Sequence, residues 1–185
     1  MDIFIYISIL AVFLLGALIL RANFVAFRGQ NISDYEGLGP EIDLRRHLDG
    51  PLICEGVIFG PTGRVASRFT AAMRGEWEGD RGVLHEDFSY DSGARQSRAW
   101  HLELHGDRFI ARADDVEGEG KGQVGGPAVR LSYRIVLPKD AGGHRLDVVD
   151  WMYLSENGTI INRSQFTKYG FLVAELVATI RKEEE

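Results

Sequence analysis

The sequence predicts an all-β domain, an antiparallel up-and-down meander closed into a barrel, behind one N-terminal transmembrane helix. Three observations carry this. Residues 3–20 run without a charge. From Pro51 onward, short runs alternate apolar and polar residues at the period of a half-buried strand. Twenty-two glycines against five prolines fall mostly between those runs, as turn punctuation. At 185 residues the chain has room for one domain and an appendage.

The first element reads IFIYISILAVFLLGALIL from Ile3 to Leu20. As a helix it rises about 27 Å at about 1.5 Å per residue, enough for a bilayer core. No basic region precedes it, only Asp2, and no small-x-small cleavage site or lipidatable Cys follows, so the reading is an uncleaved anchor rather than a signal peptide. Residues 1–21 are assigned to the anchor, 22–36 to a polar linker and 37–182 to the barrel. Arg21 and Arg28 follow the apolar run, which by the positive-inside rule puts the domain in the cytoplasm. The Asn-x-Ser/Thr triplets at Asn31, Asn157 and Asn162 bear on location only in a eukaryotic secretory setting.

Pro40 opens a short amphipathic stretch, Glu41 to Asp49, whose Ile42, Leu44 and Leu48 share one face. Strand registers then follow from the turns. Gly106-Asp107 suits a two-residue type II′ hairpin and pairs Leu104 with Phe109, Leu102 with Ala111 and Trp100 with Ala113. Asp91-Ser92-Gly93 suits a three-residue loop, pairing Leu84 with Trp100, Glu86 with Arg98 and Phe88 with Gln96. A two-residue loop there would mix the faces. Three adjacent strands thus share one apolar row, while His85, His101, His105, Arg108 and Arg112 share the outer one. A turn at Asp140-Ala141-Gly142-Gly143 precedes the next strand, and Asn157-Gly158 reads as a two-residue type I′ turn joining 144–155 to 159–166. Val, Thr and Ile content makes 167–180 a final strand. Eight to ten such strands close most economically as a barrel of lipocalin type, which leaves no open edge.

Composition excludes several classes of function. A net charge of −6 without a Lys/Arg cluster argues against a nucleic-acid face. Cys54, the single cysteine, rules out an internal disulfide and a cysteine-based metal site. His101 and His105 lie four apart along a strand, too far for one metal. The glycine-rich run from Asp114 to Gly126 carries four acids and no Gly-Lys-Ser/Thr ending, so it reads as a rim loop rather than a phosphate cradle. No metal, cofactor or catalytic residue is assigned.

Charges on the inward row are the candidate site. The two hairpin registers bring Glu86 and Asp115 to Arg98 from either side. The type I′ turn sets Asp150 diagonal to Arg163. Either these charges are internal ion pairs that hold the register, or they form a polar floor that orients a ligand headgroup. Trp100, Ala111, Ala113 and Tyr133 are the expected cavity wall, the two alanines leaving room. Trp151 and Tyr153 fall on the outer row, covered by another element or forming a contact patch.

The chain resembles a bacterial family, domain of unknown function 3833. The residues that carry the likeness begin with Tyr35 through Asp43-Leu44, Gly63-Arg64-Val65 with Arg68-Phe69, and Gly75-Glu76-Trp77-Glu78-Gly79. They continue with Glu86-Asp87-Phe88-Ser89-Tyr90, Arg98-Ala99-Trp100, Ala113 to Gly118, Asp150-Trp151-Met152, and Asn162-Arg163 with Lys168-Tyr169-Gly170. Many relatives look like lipoproteins tethered through an N-terminal Cys, which implies a periplasmic domain. This chain has a plain hydrophobic helix instead, so both sides of the inner membrane stay open. The resemblance implies no activity.

The sequence therefore points to a membrane-anchored barrel for a small apolar or lipid ligand. One alternative is a structural or interaction barrel filled by its own side chains, and another is an enzyme using the buried carboxylates. The full-length protein is expected to sediment with membranes and resist carbonate extraction, and a form starting near Asn31 to be soluble and folded. Finding the whole chain in the soluble fraction, or trimmed near residue 20, contradicts the anchor.

Overall fold

A computed structural model describes residues 2–24, 27–139 and 142–183; the turn expected at 140–141 lies outside them. Two compact units are present, residues 1–34 and 35–185. The first holds helix α1 (Asp2–Phe24) and a 3-10 turn at Phe27–Gly29, and a second 3-10 turn runs over Ile32–Tyr35. Ile3–Arg21 is long and apolar enough to cross a membrane and buries none of its side chains, a property shared by anchors and signal sequences.

The second unit is a closed barrel of ten antiparallel strands, each paired with its neighbours in sequence. The strands are β1 (Gly50–Phe59), β2 (Val65–Glu78), β3 (Arg81–Tyr90), β4 (Arg95–His105) and β5 (Arg108–Arg112). They continue as β6 (Gly120–Gly125), β7 (Ala128–Val136), β8 (Arg145–Leu154), β9 (Ile160–Lys168) and β10 (Phe171–Lys182). β1 closes on β10, from Leu52 opposite Lys182 to Phe59 opposite Glu175, so the sheet has no free edge. The architecture is the expected lipocalin-like one, with the final run a strand.

Turn chemistry sets the β3–β4–β5 registers. Tyr90 N–H donates to Ala94 O at 3.0 Å across Asp91-Ser92-Gly93, and Glu86 pairs directly with Arg98. At the next turn His105 pairs with Arg108, and Gly106 takes φ +66° where a side chain would be strained. Leu84, Trp100, Leu102, Phe109 and Ala111 are buried, while His85, His101 and His105 are exposed.

Two features differ from expectation. Across β8–β9, Leu154 pairs with Ile160 and Ser155 N–H donates to Thr159 O, so the turn is the three-residue loop Glu156-Asn157-Gly158, with Gly158 at φ +82°. One extra loop residue turns every β9 side chain to the opposite face. Asp150 therefore opposes Ser164, and Arg163 opposes Trp151. The stretch 114–126 is also more ordered than a rim loop. Its second half is β6, hydrogen-bonded to β5 and β7. Glycine is needed there because a Cβ on Gly122 would lie 2.1 Å from the Phe109 ring, which fills the space instead.

Residues 35–49 finish the barrel. Tyr35 packs on Trp151 and Tyr153 at 5.5 Å from each ring, and Trp151 is 1% exposed, so its outward face is covered rather than free. Asp43 then caps a one-turn helix, α2 (Leu44–His47), by accepting the Arg45 N–H. Ile42, Leu44 and Leu48 are buried and close one end of the barrel. Trp77 Nε1 donates to the Leu48 carbonyl at 3.3 Å. A Cβ on Gly75 would lie 1.5 Å from that same carbonyl oxygen, so β2 carries glycine where the closing segment crosses it.

Gly75→Ala is accordingly expected to destabilise by at least about 1–3 kcal/mol, since backbone rather than a flexible side chain must move. Gly60→Ala, whose Cβ would meet nothing nearer than 3.8 Å, should stay within about 0.5 kcal/mol of wild type. Urea melts of both variants check this, and equal midpoints would mean that the closing segment does not bear on Gly75.

Candidate functional site

Inward side chains of β1–β5 and β7–β10, with Leu44 and Leu48 of the closing segment, surround a cavity of about 310 Å³. Its wall is apolar over most of its extent, including Phe69, Met73, Leu84, Leu131 and Met152. Polar groups gather on one part of it: Glu86 from β3, Arg98 from β4, Asp115 from the β5–β6 connection, Tyr133 from β7, Asp150 from β8, and Asn162 and Ser164 from β9; Tyr90 and Gln96, whose hydroxyl and amide oxygen bond each other at 3.1 Å, also line it.

Arg98 is the hub. Its Nε and Nη2 donate to Asp115 Oδ2 at 3.0 and 2.5 Å, and its Nη1 lies 3.9 Å from Glu86 Oε2. The guanidinium sits over the Trp100 ring at 5.1 Å, a cation–π arrangement, and Trp100 meets Tyr133 edge-on at 5.1 Å. Burial pulls Arg98 down, but Tyr133, Glu86 and Asp115 outweigh it and hold its pKa above the ordinary value.

The acids are not fully matched. Burial pushes Glu86 up to about 7; Arg98 and the Trp100 indole oppose this, while Asp150 and Asp115 add to it. Burial likewise raises Asp150 to about 6 against the Ser164 and Tyr133 hydroxyls and Arg98. Glu86 Oε2, Asp115 Oδ1 and Asp150 Oδ1 are buried without a hydrogen-bond partner. Cys54, on β1, has its thiol pushed up to about 12 by burial and by Glu86 and Glu55, so it is an inert apolar neighbour.

The sequence-derived residues are distributed as follows. Glu86, Arg98, Asp115 and Asp150 stand together at the cavity, and Trp100 and Tyr133 line it. Arg163 does not, because the β8–β9 register turns it outward, where its Nε donates to Glu175 at 3.0 Å. Ala111 and Ala113 are not wall residues either. Ala111 is fully buried and packed, and β5 ends at Arg112 before Ala113 can join the ladder. Sequence reading missed Asn162 and Ser164. The signal was there: a three-residue loop pairs Leu154 with Ile160 and keeps Arg163 off the inward row.

Arg98→Met would leave Asp115 and Glu86 buried without a cation, an effect of about 3–5 kcal/mol at pH 8. The sign with pH follows from the direction of the shifts. An acid whose folded pKa lies above its unfolded value destabilises the fold once pH exceeds the unfolded value, and protonation removes that effect. The Arg98→Met deficit should therefore shrink from pH 8 toward pH 5. Thermal melts across that range are the measurement, and a deficit that is absent, or that grows as pH falls, would place Arg98 in solvent.

Solved structures share the fold at low identity. A protein of unknown function from the DUF3598 family of Nostoc punctiforme aligns with a TM-score of 0.56 at 13% identity, over 78% of this chain and 51% of its own, so the chain spans about half the length of that protein. Rv2717c from M. tuberculosis aligns with a TM-score of 0.55 at 14% identity, over 80% of this chain and 99% of its own. The S-type phycobiliprotein lyase CPES from Guillardia theta aligns at 0.51 and 5% identity, over 75% and 90%. Identities this low speak for the fold alone. No curated protein matches the sequence. The profile of one family does match, over residues 22–182, and the chain belongs to that family, described as a protein of unknown function (DUF3833).

Proposed function

We propose that the barrel is a binding module for a small apolar or amphipathic molecule, tethered to a membrane by α1. The observation that carries this reading is the cavity: about 310 Å³ of space, apolar around most of its wall with polar groups gathered on one part. Small-molecule sites have that character, and this volume lies at the lower end of their usual range of about 300–1,000 Å³. A barrel filled by its own side chains would leave no such space, which disfavours the purely structural alternative. Catalysis by the carboxylates is disfavoured by Arg98, which is already engaged with Asp115 and lies beside Glu86. A lipid is one ligand of this type. The apolar α1 would keep the module close to a lipid source, whichever side of the membrane the barrel occupies.

The neutral fluorophore N-phenyl-1-naphthylamine provides the test. Full-length protein in nanodiscs should enhance its emission beyond matched protein-free discs, with saturation at one probe per barrel. Met152→Trp, which places an indole in the cavity, should weaken binding by about tenfold or more, equivalent to about 1.4 kcal/mol. Its melting temperature should remain close to wild type. No signal above empty discs, or unchanged binding in the filled variant, defeats the reading.

A further inference from the structure

We infer that the polar group of the ligand is cationic, an ammonium or similar protonated nitrogen, seated against Glu86, Asp115 and Asp150; this rests on the reading of the cavity as a ligand site. Three carboxylates and one guanidinium line the space. The guanidinium is committed: two of its nitrogens bond Asp115 Oδ2, and its face covers Trp100. A carboxylate or phosphate headgroup would have to dislodge Asp115 or sit unpaired beside three acids, and burying an unpaired charge among like charges is strongly unfavourable. What three of the carboxylate oxygens lack is donors. Glu86 is 9% exposed, and its Oε2 has no hydrogen-bond partner. Asp115 Oδ1 and Asp150 Oδ1 are in the same condition. These oxygens come from β3, from the β5–β6 connection and from β8, three separate elements that converge on one region of the wall. An ammonium has three N–H donors and no acceptor, and so complements this set.

Glu86 is faced by Arg98 from β4, Asp115 from the β5–β6 connection and Asp150 from β8, with Cys54 of β1, Tyr90 of β3 and Tyr133 of β7 also within its electrostatic reach. With Glu86 raised to about 7 and Asp150 to about 6, the empty site holds protons near neutrality that a cation displaces. Cation affinity then falls as pH drops through this range, by up to about tenfold per pH unit for each proton displaced.

Titration calorimetry of full-length protein in nanodiscs, corrected with protein-free discs, separates the possibilities. The probes are octylammonium, octanoate and octan-1-ol, which share one chain length. At pH 8, octylammonium is expected to bind about tenfold or more tighter than octanoate, with octanol between them. Its affinity should fall about tenfold or more by pH 5.5, while that of octanol holds. Glu86→Gln should erase most of the preference for the ammonium over octanol. If that variant melts far below wild type, Asp150→Asn takes its place with the same expectation. Octanoate binding as tightly as octylammonium, or a preference that survives both substitutions, overturns the inference while the cavity reading stands. If none of the three probes exceeds the empty discs, the cavity reading fails and takes the inference with it.

Discussion

Closure of the ladder between β1 and β10 is the constraint on which the rest of this domain depends. Eight residue pairs, from Leu52–Lys182 to Phe59–Glu175, join the first strand to the last. They remove the two edges that an open meander of ten strands would present to solvent and to other chains. They also give the alternation of side chains a single meaning around the whole circuit. A residue on the inward row of any strand is surrounded by all ten, away from water, and a residue on the outward row is solvated or covered locally. Without closure, Glu86 and Asp150, which come from β3 and β8, would be on distant strands of a flat sheet. With it, they raise one another's energy inside one cavity.

That geometry explains why the interior charges are tolerated and why they remain poised. Arg98 donates twice to Asp115 Oδ2, at 3.0 and 2.5 Å, which helps to offset the desolvation of the pair. Glu86 and Asp150 are left with less. Each has an oxygen without a donor, and each has a pKa lifted toward neutrality by burial. A core selected only for stability would replace such groups with apolar residues of similar size. Their presence on the wall of a cavity of about 310 Å³ is the feature that sets this barrel apart from a packed scaffold.

The closing segment contributes in a different way. Tyr35 lies against Trp151 and Tyr153 on the outer wall, and Ile42, Leu44 and Leu48 then seal one end. The Gly75 site shows how tightly the two are fitted, since the Leu48 carbonyl occupies the position of a side chain on β2. The opposite end carries the β7–β8 connection, where Leu137 and Pro138 line the cavity.

Local chemistry made much of this legible. The charge-free run at 3–20 specified a helix long and apolar enough to cross a membrane. Gly106-Asp107 and Asp91-Ser92-Gly93 have turn preferences strong enough to set register, so local chemistry alone brings Glu86, Arg98 and Asp115 together. Asn157-Gly158 supports two loop lengths of similar local energy, and the choice fell to packing. Pairing Leu154 with Ile160 buries two apolar side chains and leaves Arg163 to Glu175, whereas the shorter loop would have driven an arginine into the core. β6 was hidden for a related reason: its apolar filling comes from Phe109 on the neighbouring strand, so its own sequence shows glycine where alternation was sought. The sequence by itself determined the elements and the hairpins whose turns admit one geometry. Tertiary structure alone decided which side chains face the cavity on β9, how large that cavity is, and what covers Trp151, because these depend on contacts between strands far apart in the chain, which no local pattern encodes.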